Sequence, residues 1–301
     1  MAKTMNFPTY TSEEGKKHAK NIVAIWFVVA VIADLIVWFV YGPHMPPGTM
    51  TDQARGAQFD IKVVSVMAVP VLLFLWTFGF YAIAKFRGGK DRAEGYYIKG
   101  NVKTQAAWYI ITASLVLFLA GFGTYELVLP AGAGGGEGPS PIWRPSSNKL
   151  LQVQVIAQQW RFTYRWPQFG GMETTSINLP INTEIQFNVT SLDVIHDFWA
   201  YQLGVKADAN PDSNNVAFAK TLETGRFTVR CDELCGIWHG AMFNYGHVVS
   251  QSQFLSWAQS MEAQNASVTK LLPKYATTYT PSYLGAGGGY YPAGDPNGTL
   301  N

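Results

Sequence analysis

Cysteine, histidine and charged residues are scarce in this sequence. Of its 301 residues, two are cysteine and five are histidine, and only 14% carry a charge. Two cysteines cannot build a disulfide-rich scaffold, and without a C-x-x-C-H motif they cannot attach a haem covalently. The low charge content, beside 48% hydrophobic residues, is unusual for a soluble protein and favours a membrane protein.

Long apolar runs are predicted to span a membrane. Each reaches the roughly 20 residues that a spanning helix needs, and they cover residues 22–41, 63–84 and 106–129. Lysine and arginine are distributed unevenly over the connections, with four in 1–20, one in 42–61 and six in 85–103. By the positive-inside rule, the N-terminus and the 85–103 loop are cytoplasmic, and everything after Leu129 is outside.

The first apolar run has two interpretations. Lys16, Lys17 and Lys20 precede it, as in a secretory signal, but its length and the lack of a small-x-small cleavage site favour a retained helix. A retained first span still delivers the C-terminal part to the outside. Asp34 in mid-span is interpreted as a proton-relay group or, preferably, as a carboxylate packed against a neighbouring helix or near a water-filled seam.

Beyond the third run the sequence pattern changes its period. Residues 130–147 are rich in glycine and proline, which is typical of a linker. Apolar and polar residues then alternate, as in half-buried strands, over residues 151–157, 184–190 and 226–231. Short strands separated by turns predict an all-β Greek-key barrel or sandwich.

The end of the chain carries a different signal. Apolar residues at helical spacing predict a terminal helix over 252–263, and the remainder is predicted to be extended or poorly ordered unless a partner holds it. The predicted organisation is a membrane domain over 1–129, a linker over 130–147, a β domain over 148–265 and a tail over 266–301.

Residues 231–242 hold the densest chemistry, reading C-D-E-L-C-G-I-W-H-G-A-M. Soft sulfur and imidazole ligands at this density favour copper over any hard cation. A lone C-x3-C more often indicates a disulfide, but the appended His239 and Met242 change that weighting. Two thiolates held about 4 Å apart, as metal–thiolate bond lengths allow, can bridge two coppers.

A second imidazole must come from elsewhere in the chain, and His196 directly follows a stretch that is predicted to be a strand. It lies in the segment D-V-I-H-D-F-W. With this segment and the loop C-x-E-x-C-x3-H-x2-M, the sequence resembles subunit II of the haem-copper cytochrome c oxidases, over roughly residues 62–260. The resemblance implies a membrane helical hairpin followed by a cupredoxin-like Greek-key barrel. The additional N-terminal span that the sequence predicts departs from this pattern.

The resemblance also implies a dinuclear copper site. Cys231 and Cys235 would bridge two copper ions, and His196 and His239 would each ligate one of them. Met242 would be a weak axial ligand. Glu233 would offer its backbone carbonyl to one copper, while its carboxylate would face a Mg²⁺ site shared with subunit I.

Aromatic residues follow a Q-Q-W sequence at 158–160. Phe162, Tyr164 and Trp166 occupy alternate positions and are predicted to pack on one face of a sheet. Trp160 matches, by resemblance, the tryptophan through which an electron from cytochrome c reaches the copper site.

The implied function is that of the electron-accepting subunit of a respiratory oxidase. Electrons from cytochrome c, or from a c-type haem subunit, would pass to haem in subunit I, where oxygen is reduced to water with proton translocation. Subunit I, other oxidase subunits and the bilayer are the expected partners, and no nucleic acid is expected. The expected location is a bacterial or archaeal-type plasma membrane, crossed several times, with the copper domain outside.

Other functions are weighed against this one. The quinol-oxidase branch of the family has lost the copper ligands, whereas all six positions are present here. Soluble nitrous oxide reductase would not need membrane spans. A metallochaperone and a nitric oxide reductase with a copper domain stay open at this point, because the distinction from the latter lies in the haem subunit.

Two further features bear on the donor and on proton uptake. Residues 130–301 contain ten basic and twelve acidic residues, a net charge of −2 (10 − 12), which suits a basic cytochrome c but is too small to decide. The family's second shared span opens with E-x-x-W-T, and here Gln105 stands three residues before Trp108. Because an amide does not titrate near neutral pH, Gln105 is interpreted as a hydrogen-bonding residue that does not carry protons. Proton uptake is then assigned to Asp91, Glu94 or a subunit I carboxylate.

Overall fold

The chain divides into two compact units in a computed structural model. The structure describes residues 13–87, 100–129, 136–138, 140–145, 149–211 and 213–272. One unit comprises residues 1–45 and 60–122, and the other comprises residues 46–59 and 123–301. Asp91, Glu94, half of the predicted linker and the greater part of the predicted tail lie outside the described residues.

Long helices account for the apolar runs. They are α1 (Glu13–Ile36), α2 (Asp52–Phe86) and α3 (Val102–Val128). A π-helical turn at Val37–Tyr41 and a 3-10 turn at Gly42–His44 extend α1. With these turns included, all three are long and apolar enough to cross a membrane. Gln105 lies in the first turn of α3, where its N–H donates to Asn101 O.

Polar contacts join α1 to α2 within the first unit. The Trp26 indole N–H donates to the carbonyl oxygen of Pro70 at 2.7 Å, in the middle of α2. His18 Nδ1 lies 2.8 Å from the Tyr81 hydroxyl. In hydrocarbon an indole N–H needs a partner, so such bonds fix which faces of two helices meet. Asp34 Oδ1 is buried and has no hydrogen-bond partner within the part of the chain that the structure describes.

Two sheets form the second unit. The first has the order β1-β9-β6-β2-β3-β4, with β1 Glu137–Gly138, β9 Asn215–Lys220, β6 Glu184–Ser191, β2 Leu151–Gln158, β3 Arg161–Trp166 and β4 Met172–Thr174. The second has the order β5-β11-β10-β7-β8, with β5 Ile177–Pro180, β11 Phe243–Val249, β10 Gly225–Cys231, β7 His196–Ala200 and β8 Val205–Ala209. The pairs β2·β6 and β5·β11 are parallel, and the other pairs are antiparallel.

Side chains from both sheets share one apolar core. Phe198 of β7 meets Phe187 of β6 and Phe162 of β3, with ring centroids 5.4 and 5.8 Å apart. The predicted inward face of β3 is confirmed, because Phe162, Tyr164 and Trp166 are all buried. The predicted fold class, membrane helices followed by a cupredoxin-like β domain, is confirmed.

The ends of the β domain differ from the sequence prediction. The Gly/Pro-rich linker contains β1, which pairs with β9 through only two residues of each strand. The terminal helix α4 runs over Gln251–Thr269, past the predicted end of the domain. Ser250 and Gln253 form a capping box at its start, and no glycine or proline interrupts it before Thr269.

The connection between α1 and α2 packs into the β unit. Thr51 Oγ1 accepts from Ala54 N–H and so caps the start of α2. The same hydroxyl donates to Leu203 O at 2.6 Å, in the connection between β7 and β8. A Cβ on Gly204, which has φ +61°, would lie 2.7 Å from the backbone of Ala54. Leu222 N–H donates to Met50 O at 2.8 Å. Residues 46–59 are therefore part of the unit that contains the β domain.

Glu137 on β1 gives this unit a pH dependence. Burial raises the pKa of its carboxyl to about 7, and the nearby Asp197 adds to the shift, although Lys206 N–H donates to the carboxylate at 3.1 Å. Between the ordinary value of 4.5 and about 7, the folded chain holds a proton that the unfolded chain has lost. The stability that this proton confers is therefore present at low pH and falls as the pH rises through that window.

We expect Glu137→Gln to flatten this profile. The amide oxygen still accepts from Lys206 N–H but cannot ionise, so the variant should lose less thermal stability than the native chain between about pH 5 and pH 8. Melting of the full chain, followed by tryptophan fluorescence across this range, measures the effect. Glu173→Gln is the matched control, and parallel pH profiles for the native chain and Glu137→Gln would contradict the assignment.

Candidate metal centre

The predicted ligands converge at one end of the β domain. His196 opens β7, and Cys231 ends β10, directly beside Phe198 of β7 in the ladder. A backbone hydrogen bond of 3.0 Å from Cys231 N–H to Met242 O closes the loop between β10 and β11. The loop therefore begins and ends on predicted ligands, each anchored by a strand of the same sheet.

The sulfur and imidazole atoms lie within metal-binding reach of one another. Cys231 Sγ is 3.6 Å from Cys235 Sγ and 3.7 Å from His196 Nδ1. Cys235 Sγ is 3.6 Å from His239 Nδ1 and 3.9 Å from Met242 Sδ. One ligand atom from each of His196, Cys231 and Cys235 lies within 4.8 Å of the other two.

Glu233 contributes its backbone rather than its side chain. Its carbonyl oxygen is 3.2 Å from Cys231 Sγ, while its carboxylate belongs to an exposed residue. All six predicted positions are thus brought together, and both thiols are free and buried. Soft thiol, imidazole and thioether donors on a rigid strand frame fit copper.

Asp193 sets the orientation of His196. Its Oδ1 lies 2.8 Å from His196 Nε2, and its Oδ2 accepts from Gln159 N–H at 2.8 Å. A proton on Nε2 leaves the Nδ1 lone pair directed toward Cys231, the form in which an imidazole binds a metal. Burial alone would raise the pKa of Asp193, but hydrogen bonds from Gln159, His196 and Val194 outweigh it and lower the pKa.

The two thiols differ in acidity. Burial alone would raise the pKa of Cys231, but its contact with His196 and backbone hydrogen bonds outweigh burial and lower it. Burial and the neighbouring Cys231 raise the pKa of Cys235. One thiol ionises readily while the other keeps its proton, so binding a soft metal at both sulfurs releases that proton.

Trp160 lies against the ligand loop. Its indole N–H donates to Cys235 O at 3.2 Å, and the side-chain amide of Gln159 donates to the same oxygen at 2.8 Å. A Cβ on Gly236, which has φ +120°, would lie 3.3 Å from the indole ring. The half-buried ring therefore touches the backbone between two predicted ligands, and a larger residue than Gly236 would displace it.

Sequence analysis missed two supporting residues. Asp193 and Gln159 lie next to predicted site residues in the sequence but were not themselves predicted to take part in the site. The spacing of Asp193, three residues before His196, is a signal that could have found it, since metal-binding histidines commonly donate their second nitrogen to a carboxylate. Of the remaining histidines, His18 contacts Tyr81, and His44 and His247 are exposed.

Comparison with known proteins agrees with this arrangement. The profile of the family described as "Cytochrome C oxidase subunit II, periplasmic domain" matches residues 173–249. Cytochrome c oxidase subunit 2 of Wickerhamomyces canadensis is 45% identical over 213 residues, covering 62% of this chain and 81% of that protein. The chain belongs to the cytochrome c oxidase subunit II family.

Other subunit II proteins are similar over different lengths. That of Synechocystis is 25% identical over 290 residues, covering 84% of this chain and 86% of its own. The solved periplasmic domain of subunit II from Bradyrhizobium japonicum is 30% identical, covers 40% of this chain and 97% of that one, and superposes with a TM-score of 0.38. As a subunit II, this chain is part of an oxidoreductase, a haem-copper terminal oxidase.

We expect Asp193→Asn to weaken copper binding. The variant keeps the size of the side chain but removes the charge that fixes the His196 tautomer, and changes of this kind commonly lower metal affinity about tenfold or more. Titration of the full chain against a competing copper chelator measures it. Asp208→Asn is the control on the neighbouring strand, and equal copper affinities for the two variants would contradict the role.

Proposed function

We propose that this subunit II binds two copper ions and accepts electrons from a c-type cytochrome for a haem-copper oxidase. The observation that carries the proposal is the paired arrangement of donors around two sulfurs. His196 and Glu233 O lie beside Cys231, while His239 and Met242 lie beside Cys235. Two equivalent half-sites share the pair of sulfurs, which suits two metal ions rather than one.

A bound copper pair would supply one-electron chemistry, taking up and releasing an electron with little change of ligand geometry. The residues of this chain contribute by holding the donor side chains in fixed positions. Strands hold His196 and Cys231, the Cys231–Met242 backbone bond closes the loop, and Asp193 fixes the imidazole. A site that barely rearranges lowers the energy needed for each electron transfer.

Trp160 is proposed as the residue through which electrons arrive. It is half-buried, so part of its ring is open to a donor while the indole N–H contacts Cys235 O. From the copper centre, electrons would pass to haem in subunit I, where oxygen reduction and proton translocation take place. The exposed Glu233 carboxylate is proposed to face a Mg²⁺ ion shared with that subunit.

The proposed topology is that of a multi-pass protein of a plasma membrane, with the copper domain outside. It is supported by helices of spanning length and by the excess of lysine and arginine in residues 1–20 and 85–103. Subunit I, other oxidase subunits and the lipid bilayer are then its partners, and cytochrome c or a c-type haem subunit is its donor. Gln105 is proposed not to carry protons.

Electron paramagnetic resonance on the copper-loaded full chain tests the metal count. We expect a purple protein with two coppers per chain and hyperfine coupling to two equivalent nuclei, since thiolate bridges share one unpaired electron. A spectrum from a single copper would refute the dinuclear proposal.

Met242→Leu should keep both metals and shift the reduction potential, because a weak axial ligand tunes the site more than it binds the metal.

A further inference from the structure

The outward face of β10 and β11 carries arginine and aromatic side chains in register. Its cross-strand pairs are Arg226 with His247, Thr228 with Tyr245 and Arg230 with Phe243. Alternate residues of both strands point into the core, as the burial of Phe227 and Val229 shows. The ladder therefore collects two arginines, a histidine and two aromatic rings on one exposed strip, which is called the β10–β11 face below.

The arginines of this face are not neutralised by the chain itself. Across the part of the chain that the structure describes, neither Arg226 nor Arg230 has a carboxylate within ion-pair distance, whereas Arg55 does. The Arg226 guanidinium lies 4.2 Å from the centre of the Tyr245 ring. Stacking of this kind orders the guanidinium and leaves its N–H groups free for a partner.

Carboxylates do occur on the same sheet, but they are engaged elsewhere. Lys206 on β8 lies 2.5 Å from Asp232 and 3.6 Å from Asp197. Asp208, opposite Asp197 in the ladder, completes this acidic group. The acidic group thus lies on the β7–β8 side of the sheet, where it shares a cation, and the β10–β11 face keeps a net positive charge.

Beyond Glu233, the ligand loop beside this face is uncharged. From Leu234 to Met261 the sequence contains no aspartate, glutamate, lysine or arginine. A lysine-rich donor would therefore find no carboxylate on this segment, which includes the ligand loop after Glu233 and all of β11. The two carboxylates of the loop itself are Asp232, which pairs with Lys206, and the exposed Glu233. The overall charge of the outer region, −2, does not describe the β10–β11 face.

We propose that the β10–β11 face docks an acidic protein partner, and that this partner is the electron donor. The second part rests on the proposed function. Arginine binds carboxylates through paired N–H groups, and arginine with tyrosine is the composition of interface hot spots. Arg230 directly precedes Cys231 and Phe243 directly follows Met242, so a donor on this face lies next to two ligands.

A lipid surface fits the face less well than a protein does. Side chains that insert into a bilayer protrude, as Ile237 does with 85% of its surface exposed. Phe243 and Tyr245 are only 51% and 45% exposed and lie along a strand pair. A strip of ordered guanidinium groups between half-exposed rings suits a complementary protein surface.

The test uses the intact oxidase complex and a c-type cytochrome with an acidic haem-edge surface. We expect R226Q/R230Q to raise the KM for this donor about tenfold at low ionic strength and to reduce its salt dependence, with kcat little changed. Lys270→Gln, which removes an exposed cation at the end of α4, is the matched control. Oxidation of a small neutral amine donor should stay unchanged in both variants.

Each outcome decides the matter. An unchanged KM and salt dependence in R226Q/R230Q would overturn the proposal. So would a lower KM of the native complex for a basic cytochrome c than for the acidic cytochrome. Loss of binding to anionic phospholipid vesicles, without an effect on the acidic cytochrome, would assign the face to lipid instead. Failure of the native complex to oxidise the neutral amine donor would instead count against the proposed function itself.

Discussion

Cys231→Ser is expected to abolish copper loading and, with it, the oxidation of any c-type cytochrome. Cys231 Sγ is the atom on which three other donors converge, since Cys235 Sγ, His196 Nδ1 and Glu233 O all lie within 3.7 Å of it. A serine hydroxyl is a hard donor that stays protonated at neutral pH, so it cannot replace a bridging thiolate. The remaining donors then belong to separate, incomplete sites.

Metal analysis and oxygen uptake by the purified complex measure this effect. Copper per chain should fall well below that of the native protein, and turnover with reduced cytochrome should fall to background. Circular dichroism and the haem content of the complex show whether the chain still folds and assembles. Met242→Leu is the comparison within the same site, because it should retain its copper. A Cys231→Ser protein that keeps two coppers would exclude bridging by this sulfur.

Trp160→Ala is expected to slow electron transfer from cytochrome c without removing copper. The indole contacts the loop backbone at Cys235 and Gly236, and its exposed edge offers a donor both contact area and a short route inward. Removing a hot spot worth about 2 kcal/mol lowers kcat/KM roughly 30-fold. Oxygen reduction with a small artificial donor should stay near the native rate.

Two further variants separate electron transfer from packing. Trp160→Phe keeps an aromatic ring but loses the N–H to Cys235 O, so its rate should lie between those of the native protein and the alanine variant. Trp143→Ala removes another half-buried indole, which packs against Phe218 with ring centroids 6.1 Å apart, and should leave the rate unchanged. If Trp160→Ala and Trp143→Ala behave alike at low ionic strength, Trp160 is a packing residue.

Local chemistry explains why the clustering of these donor residues could be predicted. Five of the six positions lie within 231–242, where the spacing itself brings sulfur, imidazole and carbonyl donors to one loop. His196 was predicted from its place after a strand and from the family resemblance. The structure adds that β7 and β10 are neighbours, which is why His196 and Cys231 meet.

Other features depend on register, which the sequence does not encode locally. Alternation predicts that Arg226 and Arg230 share a face, but only the pairing with β11 places Tyr245 and Phe243 beside them. The parallel pairs β2·β6 and β5·β11 join segments that are far apart in sequence. Thr51 and Leu203 are 152 residues apart in sequence, so no local sequence pattern predicts their contact.

That contact has a practical consequence for soluble fragments of this protein. A recombinant domain starting near residue 145 would lack residues 46–59, so Leu203 O would lose its hydroxyl donor and Leu222 N–H its acceptor. It would also expose the backbone of Gly204 that Ala54 now covers. Each intramolecular hydrogen bond lost in this way removes about 0.5–1.5 kcal/mol of net stability. Fusing residues 46–59 to the fragment through a flexible tether should therefore raise its yield and melting temperature.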